Sequence, residues 1–220
     1  MSLRTSHTAV ERELLSRALL PGTRVLDAGC GRRSRLSDYR EQIAQLVGVD
    51  IDGSACAENR ALESIVVADL CGRLPFATAS FDVVYTNFVI EHLDAPAVAF
   101  AEWRRLLRRG GALILLTSNR ASPAVAIGEL VPRTARLKLK RAGAGVADED
   151  VIPTQYRANT PWRLHKLLVR AGFAPVDVEY VATLHRYLTR APTLALALRG
   201  VEQLLPPRLR STIVAWYRAV

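Results

Sequence analysis

The stretch Arg24-Val25-Leu26-Asp27-Ala28-Gly29-Cys30-Gly31 is followed, after a polar interval, by Gln45-Leu46-Val47-Gly48-Val49-Asp50. Each is a short apolar run rich in Val and Leu, so each predicts a buried strand rather than a helix. The first breaks into a glycine turn, and the second ends in an acid 19 residues beyond Gly31. A third run, Ser64-Ile65-Val66-Val67-Ala68-Asp69, again ends in aspartate. Apolar strands of this kind alternating with helical segments predict an α/β fold with a mostly parallel sheet covered on both faces.

Upstream, Leu14, Leu15, Ala18 and Leu19 fall at helical spacing and stop at Pro21-Gly22, which predicts an N-terminal helix within residues 1–20. Downstream, Phe81-Asp82-Val83-Val84-Tyr85-Thr86 and residues 111–117 predict a fourth and a fifth strand. Between them the pattern predicts a helix over 95–109. Val98, Trp103, Leu106 and Leu107 would face inward, and Arg104, Arg105, Arg108 and Arg109 would form a solvated face near its negative end. Pro161 opens a helix that closes at Ala171-Gly172, followed by a strand over 173–181. Residues 193–205 place Leu194, Leu198, Val201 and Leu205 on one helical face, and 212–217 reads as a last strand. Residues 118–160 are long for a connection and carry Arg133, Arg136, Lys138, Lys140 and Arg141 before Asp148-Glu149-Asp150. They read as a lid, with 184–207 as a second cap segment, on a single domain spanning 1–220.

A length of 220 residues, half of them apolar and 23% charged, suits one large globular domain and excludes a disordered chain. No run approaches the roughly 18 apolar residues of a membrane span, and residues 1–10 lack the features of a signal peptide. The expected location is therefore cytoplasmic. Cys30, Cys56 and Cys71 show no C-x-x-C spacing, so neither a disulfide framework nor a metal site is expected. The net charge of +9 belongs wholly to the second half: residues 1–110 hold 14 basic and 14 acidic residues, residues 111–220 hold 16 and 7. Arginine makes up 27 of the 30 basic residues, as a GC-rich coding sequence would produce; the functional alternative is an acidic partner.

In an open parallel sheet ligands bind at the carboxyl ends of the strands. Gly29 and Gly31 let the backbone approach a ligand, and the helix expected after them would offer free N–H groups to an anion. Asp50 is placed to accept hydrogen bonds from the vicinal hydroxyls of a ribose. A nicotinamide cofactor would want G-x-G-x-x-G, but the last position here is Ser34, and Asp27 would crowd a pyrophosphate. Asp27 suits a cation instead. S-adenosyl-L-methionine carries a sulfonium and an ammonium group and matches these charges, with Asp69 at the level of its adenine. Taken singly, Asp27 is an ordinary strand-end acid and Asp50 a cap for a helix over 53–59.

The succession Val25-Leu26-Asp27-Ala28-Gly29-Cys30-Gly31, Gly48-Val49-Asp50, Ala68-Asp69-Leu70, Leu74-Pro75-Phe76, Ser80-Phe81-Asp82-Val83-Val84, Glu91-His92-Leu93 and Leu107-Arg108-Arg109-Gly110-Gly111 resembles the motifs of class I S-adenosylmethionine-dependent methyltransferases. The likeness covers about residues 23–120 and runs to the small-molecule branch that includes quinone-biosynthesis enzymes. It implies a Rossmann-like seven-stranded sheet of order 3-2-1-4-5-7-6. It also implies that Gly29 and Gly31 cradle the methionine portion, that Asp50 with Ile51 binds the ribose, that Asp69 and Leu70 bracket the adenine, and that Asn87 lines the path to the methyl group. The family's third glycine is Arg33 here.

Methyl transfer is an in-line displacement in which the protein chiefly aligns the nucleophile and excludes water. For a hydroxyl acceptor, His92 is the candidate base, with His185 and Tyr156 behind it; the alternative for His92 is a structural helix start. The Asn-Pro-Pro-aromatic pattern of base-nitrogen methylation is missing after the fourth strand, and no acid cluster follows to hold magnesium. Nucleic acid is thus disfavoured, leaving a small-molecule or lipid-like acceptor beneath the lid. The basic 133–141 stretch and the leucine-faced helix add peripheral membrane contact as an expectation. Two other readings stand beside this one, a non-catalytic adenosyl-ligand scaffold and a nicotinamide-dependent reductase.

Overall fold

A computed structural model describes residues 6–62, 64–130, 153–184 and 192–220. Seven strands form one sheet in the order β3-β2-β1-β4-β5-β7-β6: β1 (Thr23–Ala28), β2 (Ile43–Asp50), β3 (Ser64–Val67), β4 (Phe81–Asn87), β5 (Leu107–Ser118), β6 (Phe173–Val181) and β7 (Thr212–Ala219). The first five are parallel and β7 runs antiparallel between β5 and β6, the arrangement implied by the sequence resemblance. The order reverses at β1, from which β2 lies on one side and β4 on the other. Asp27 of β1 is thereby flanked by Gly48 and Tyr85.

Because side chains alternate along a strand, the sheet has two apolar faces, and each needs cover. One packs Leu26, Val84, Leu113 and Leu115 under α3 (Pro96–Leu106) and α5 (Pro161–Arg170), where Phe100, Trp103 and Leu164 are buried. The other packs Val25, Val83, Tyr85 and Ile114 under α1 (His7–Ala18), through Val10, Leu14 and Leu15. The remaining helices are α2 (Gly53–Glu58), α4 (Pro123–Leu130) and α6 (Pro192–Leu204).

Three local expectations are corrected. The segment after the glycine turn is a 3₁₀ helix, Arg35–Gln42, in which only Leu36 is buried; without an apolar stripe an α-helix has nothing to pack. In α3 the buried stripe is Ala99, Phe100, Trp103 and Leu106, which leaves Val98 49% exposed, while Leu107 already belongs to β5. Of the four arginines, Arg108 and Arg109 are exposed as expected, whereas Arg104 and Arg105 are half-buried and tied down. Arg105 is chelated by Glu102 and reaches the carbonyls of Leu74 and Phe76, Arg104 binds the carbonyl of Val220, and Arg108 pairs with Asp82 at 2.7 Å. The basic and acidic runs of 133–150 and His185 lie outside the described residues.

Candidate functional site

The loop after β1 rests on its glycines. Gly29 has φ +86° and Gly31 φ +51°, a region that costs other residues dearly. A Cβ at Gly29 would collide with the methyl groups of Val89, whereas one at Gly31 would meet nothing within 4 Å. Gly29 is therefore fixed by packing, and Gly31 faces open space of the kind a ligand fills. Arg33 is exposed and is absent from the positive-φ residues, so the turn needs no third glycine.

Neighbouring elements hold this loop. Asp50 Oδ2 accepts from Gly31 N at 2.8 Å and Oδ1 accepts from Asp52 N at 3.0 Å. The cap of α2 is Asp52, which accepts from Ser54 N and Ala55 N, so Asp50 is left to the loop. Asn59 donates to the Gly31 carbonyl at 2.8 Å. Ser34 donates to Asp27 Oδ2 at 2.5 Å, placing the Asp27 carboxylate beneath the loop, 2% exposed. Burial pushes this carboxyl up to about 7, opposed by the Ser34 bond and assisted by the charges of Asp50 and Glu11. Glu11 reaches in from α1: it chelates Arg35 through two bonds of 3.1 Å and accepts from the Tyr85 hydroxyl. Burial and the Glu11 charge raise the Tyr85 phenol.

Glu11, Arg35, Tyr85 and Asn59 are not among the site residues that the sequence singles out. The signal for Glu11 was an acid on the same helical face as Leu14 and Leu15. Cys30 and Cys56 are buried, and Cys30 packs against Gly48, where a Cβ would come 2.7 Å from its sulfur.

At the other strand ends, Asp69 lies two residues past β3 and accepts from Cys71 N, while Leu70 is buried. Ile51 is 68% exposed at the rim. Asn87 closes β4 with its Oδ1 buried and unpartnered, and Phe88 follows at φ +55°. Past β4 the buried Glu91 accepts from Thr117 and Ser118 hydroxyls at 2.8 and 2.9 Å, and its carbonyl accepts from Gln155 N and Tyr156 N. His92 Nδ1 lies 2.8 Å from the carbonyl of Pro153. A carbonyl only accepts, so Nδ1 carries the proton and Nε2 the lone pair. The structure thus brings Gly29, Gly31, Asp50 and Asp27 into one constellation. Asp69, Leu70 and Asn87 stand at adjacent strand ends, and His92 stands on the β4–β5 side.

Residues 26–115 match the family model for a methyltransferase domain. A malonyl-[acyl-carrier protein] O-methyltransferase of Enterobacter lignolyticus is 35% identical over 97 residues, 43% of this chain and 38% of that protein. A ubiquinone biosynthesis O-methyltransferase of Hahella chejuensis is 37% identical over 111 residues, 47% of each. The chain thus spans less than half the length of these curated relatives. The crystal structure of an S-adenosylmethionine-dependent methyltransferase from Mesorhizobium loti shares the fold, with TM-score 0.65 and 22% identity over 99% of this chain and 100% of that one. Residues 26–115 thus match a methyltransferase domain, and the cofactor named for the Mesorhizobium loti structure of the same fold is S-adenosylmethionine.

The residues present fit that group. Open space lies beside Gly31, a carboxylate stands next to it in Asp50, and the unpartnered Asn87 Oδ1 is an acceptor for an N–H or O–H donor.

Proposed function

We propose that the protein transfers the methyl group of S-adenosyl-L-methionine to a small or amphipathic acceptor by in-line displacement, as an O- or C-methyltransferase. The observation that supports this most is the Gly31–Asp50 contact beneath open space at the point where the strand order reverses. When bound, the cofactor supplies a methyl carbon already activated by a sulfonium. The chain's own residues orient and enclose. Asp50 accepts from ribose hydroxyls, with Ile51 beside it, and Asp69 and Leu70 flank the adenine. Gly29 and Gly31, without side chains, let the backbone come close to the methionine portion, and Asn87 lines the methyl path. Asp27, beneath the loop, supplies the negative charge that suits a cationic ligand.

His92, its tautomer set by the Pro153 carbonyl, takes the proton of a hydroxyl acceptor at Nε2, an effect worth about 10² to 10⁴ in rate. Tyr156, held at φ +51° on the same strap of chain, stands behind it as a second-rank base. The acceptor enters over the β4–β5 ends, where the described parts of the expected cap segments, 118–130, 153–160, 184 and 192–207, serve as cover; peripheral contact with a membrane belongs to the same reading, and the rest of those segments lies outside the described residues. The curated relatives named above are by their names O-methyltransferases, one of malonyl-[acyl-carrier protein] and one of ubiquinone biosynthesis, which supports an oxygen as the methylated atom.

The test is release of S-adenosylhomocysteine, with label transfer from methyl-labelled cofactor, across a panel of phenols, carboxylic acids and prenylated quinols. Transfer to at least one is expected, with His92→Ala slower by 10² or more and unchanged in cofactor affinity. Tight cofactor binding with no transfer to any acceptor would move the scaffold reading to the front.

A further inference from the structure

Helix α6 is turned inside out. Its one acid, Glu202, is buried, and its carboxylate accepts from Ser211 N at 2.7 Å and Leu184 N at 3.2 Å. Leu198, Arg199 and Leu205 are half-buried on the same side. The solvent face carries Leu196, Ala197, Gly200, Val201 and Leu204, with Leu196, Val201 and Leu204 exposed by 71, 61 and 87%. Spacings of four and five residues put these on one helical face. The expected face of Leu198, Val201 and Leu205 is therefore split, with Val201 facing out; the side chain of Leu194 lies outside the described residues. Glu202 fixes this rotation. Turning the leucines inward would strip two backbone N–H groups of their acceptor.

The charge around this face has one sign. Among the described residues Arg199, Arg208 and Arg210 lie on or just after the helix, and the one acid of residues 182–220 is the buried Glu202. Arg210 spends its guanidinium on the carbonyls of Tyr180 and Gln203, so no carboxylate neutralises it there. The face also lies beside the functional edge of the sheet. Helix α6 connects the end of β6 to the start of β7, and Asn119, just past β5, donates to the carbonyls of Arg208 and Arg210 and binds Ser211 through its N–H.

We propose that the outer face of α6 is an interfacial anchor that seats the protein on an anionic lipid surface, with Leu196, Val201 and Leu204 in the headgroup boundary and the arginines at the phosphates. A leucine-bearing helix face followed by the exposed Arg208 and by Arg210, with the helix's one acid buried, is complementary to such a surface. The inference rests on the proposed amphipathic acceptor: a lipid-like molecule held in the membrane reaches the strand ends from the side on which α6 lies.

The test is co-sedimentation of the full chain with vesicles of phosphatidylcholine alone or mixed with phosphatidylglycerol. Binding to the mixed vesicles, weakened by salt and at least tenfold poorer to phosphatidylcholine alone, is expected. The triple variant L196S/V201S/L204S should lose at least tenfold in partitioning, with its melting temperature and S-adenosylhomocysteine affinity unchanged. Absence of native binding to mixed vesicles at low salt overturns the proposal. So does a concentration-dependent dimer that the triple variant dissociates, which assigns the face to a second copy. A lowered melting temperature of the variant in the absence of vesicles overturns it too, assigning the face to contacts within the chain. Failure of native S-adenosylhomocysteine binding would strike the methyl-transfer reading alone, so the two failures are separable.

Discussion

Residues 28–34 are fastened by partners 7 to 28 residues away in the chain, through Asp27 with Ser34, Asp50 with Gly31 and Asn59 with Gly31. The strap at 153–160, by contrast, hangs on Asn159 with Thr117 and His92 with Pro153, across 42 and 61 residues. In the proposed function the first region grips the part of the reaction that is the same for every acceptor, and contacts at short range in the chain pre-form it, while the second stands on the acceptor side. The second is assembled from remote pieces and lies in the half of the chain that carries the whole net charge. The proposed function thus divides cofactor recognition and acceptor recognition between two differently built groups of strand ends in one sheet.

Substitutions that break the cofactor side should act most strongly. Gly29→Ala forces a Cβ into Val89 at a positive φ, and left-handed strain with overpacking predicts a loss of about 3 kcal/mol or more in urea unfolding. Asp50→Ala removes the carboxylate that accepts from Gly31 N and Asp52 N and would accept from the ribose, so calorimetric affinity for S-adenosylhomocysteine should fall tenfold or more and the melting temperature should fall with it, charge-assisted bonds being worth about 1.5 to 3 kcal/mol. Glu11→Ala leaves the buried Tyr85 hydroxyl without its acceptor and frees Arg35. About 1 to 3 kcal/mol of stability should go, together with a smaller loss of cofactor affinity; an unchanged cofactor affinity would show that α1 supports the sheet and not the loop.

Asp27→Asn sharpens the contrast through pH. The native carboxyl is pushed up to about 7 from 3.8, so between those values the native state keeps a proton that the unfolded chain has released. Stability from this group is complete below about 4 and is lost as pH rises toward 7. The Asn variant, which cannot ionise, should melt above the native protein at pH 8 and no higher at pH 4, while binding the cationic cofactor less well. A gap in melting temperature independent of pH would contradict the burial argument. The smallest effect belongs to Arg33→Ala, whose side chain is exposed and whose backbone is not left-handed: stability within about 0.5 kcal/mol and cofactor affinity unchanged.

The same division governs what the sequence discloses. The strands β1, β2 and β4, the glycine turn and the strand-end acids were legible because apolar runs, glycines and acids follow one another at short range. The seven-strand order was legible through the family resemblance. Glu11 was missed because an acid amid α1's leucines reads as solvent-facing until Tyr85 and Arg35, distant in sequence, arrive beside it. The 3₁₀ segment after Gly31 was read as a helix because nothing local distinguishes the two when only Leu36 is buried. The facing of α6 was read without its register, since helical periodicity names a stripe but only Glu202, bonded to Ser211 and Leu184, decides which stripe turns inward.

The central claim, that the Gly31–Asp50 loop is a working S-adenosylmethionine site, is tested most directly by isothermal titration of the native protein with S-adenosylhomocysteine, with NADH as the comparison ligand. The account predicts saturable binding of the first at one site per chain and none of the second. Binding of NADH, or of neither, would contradict it.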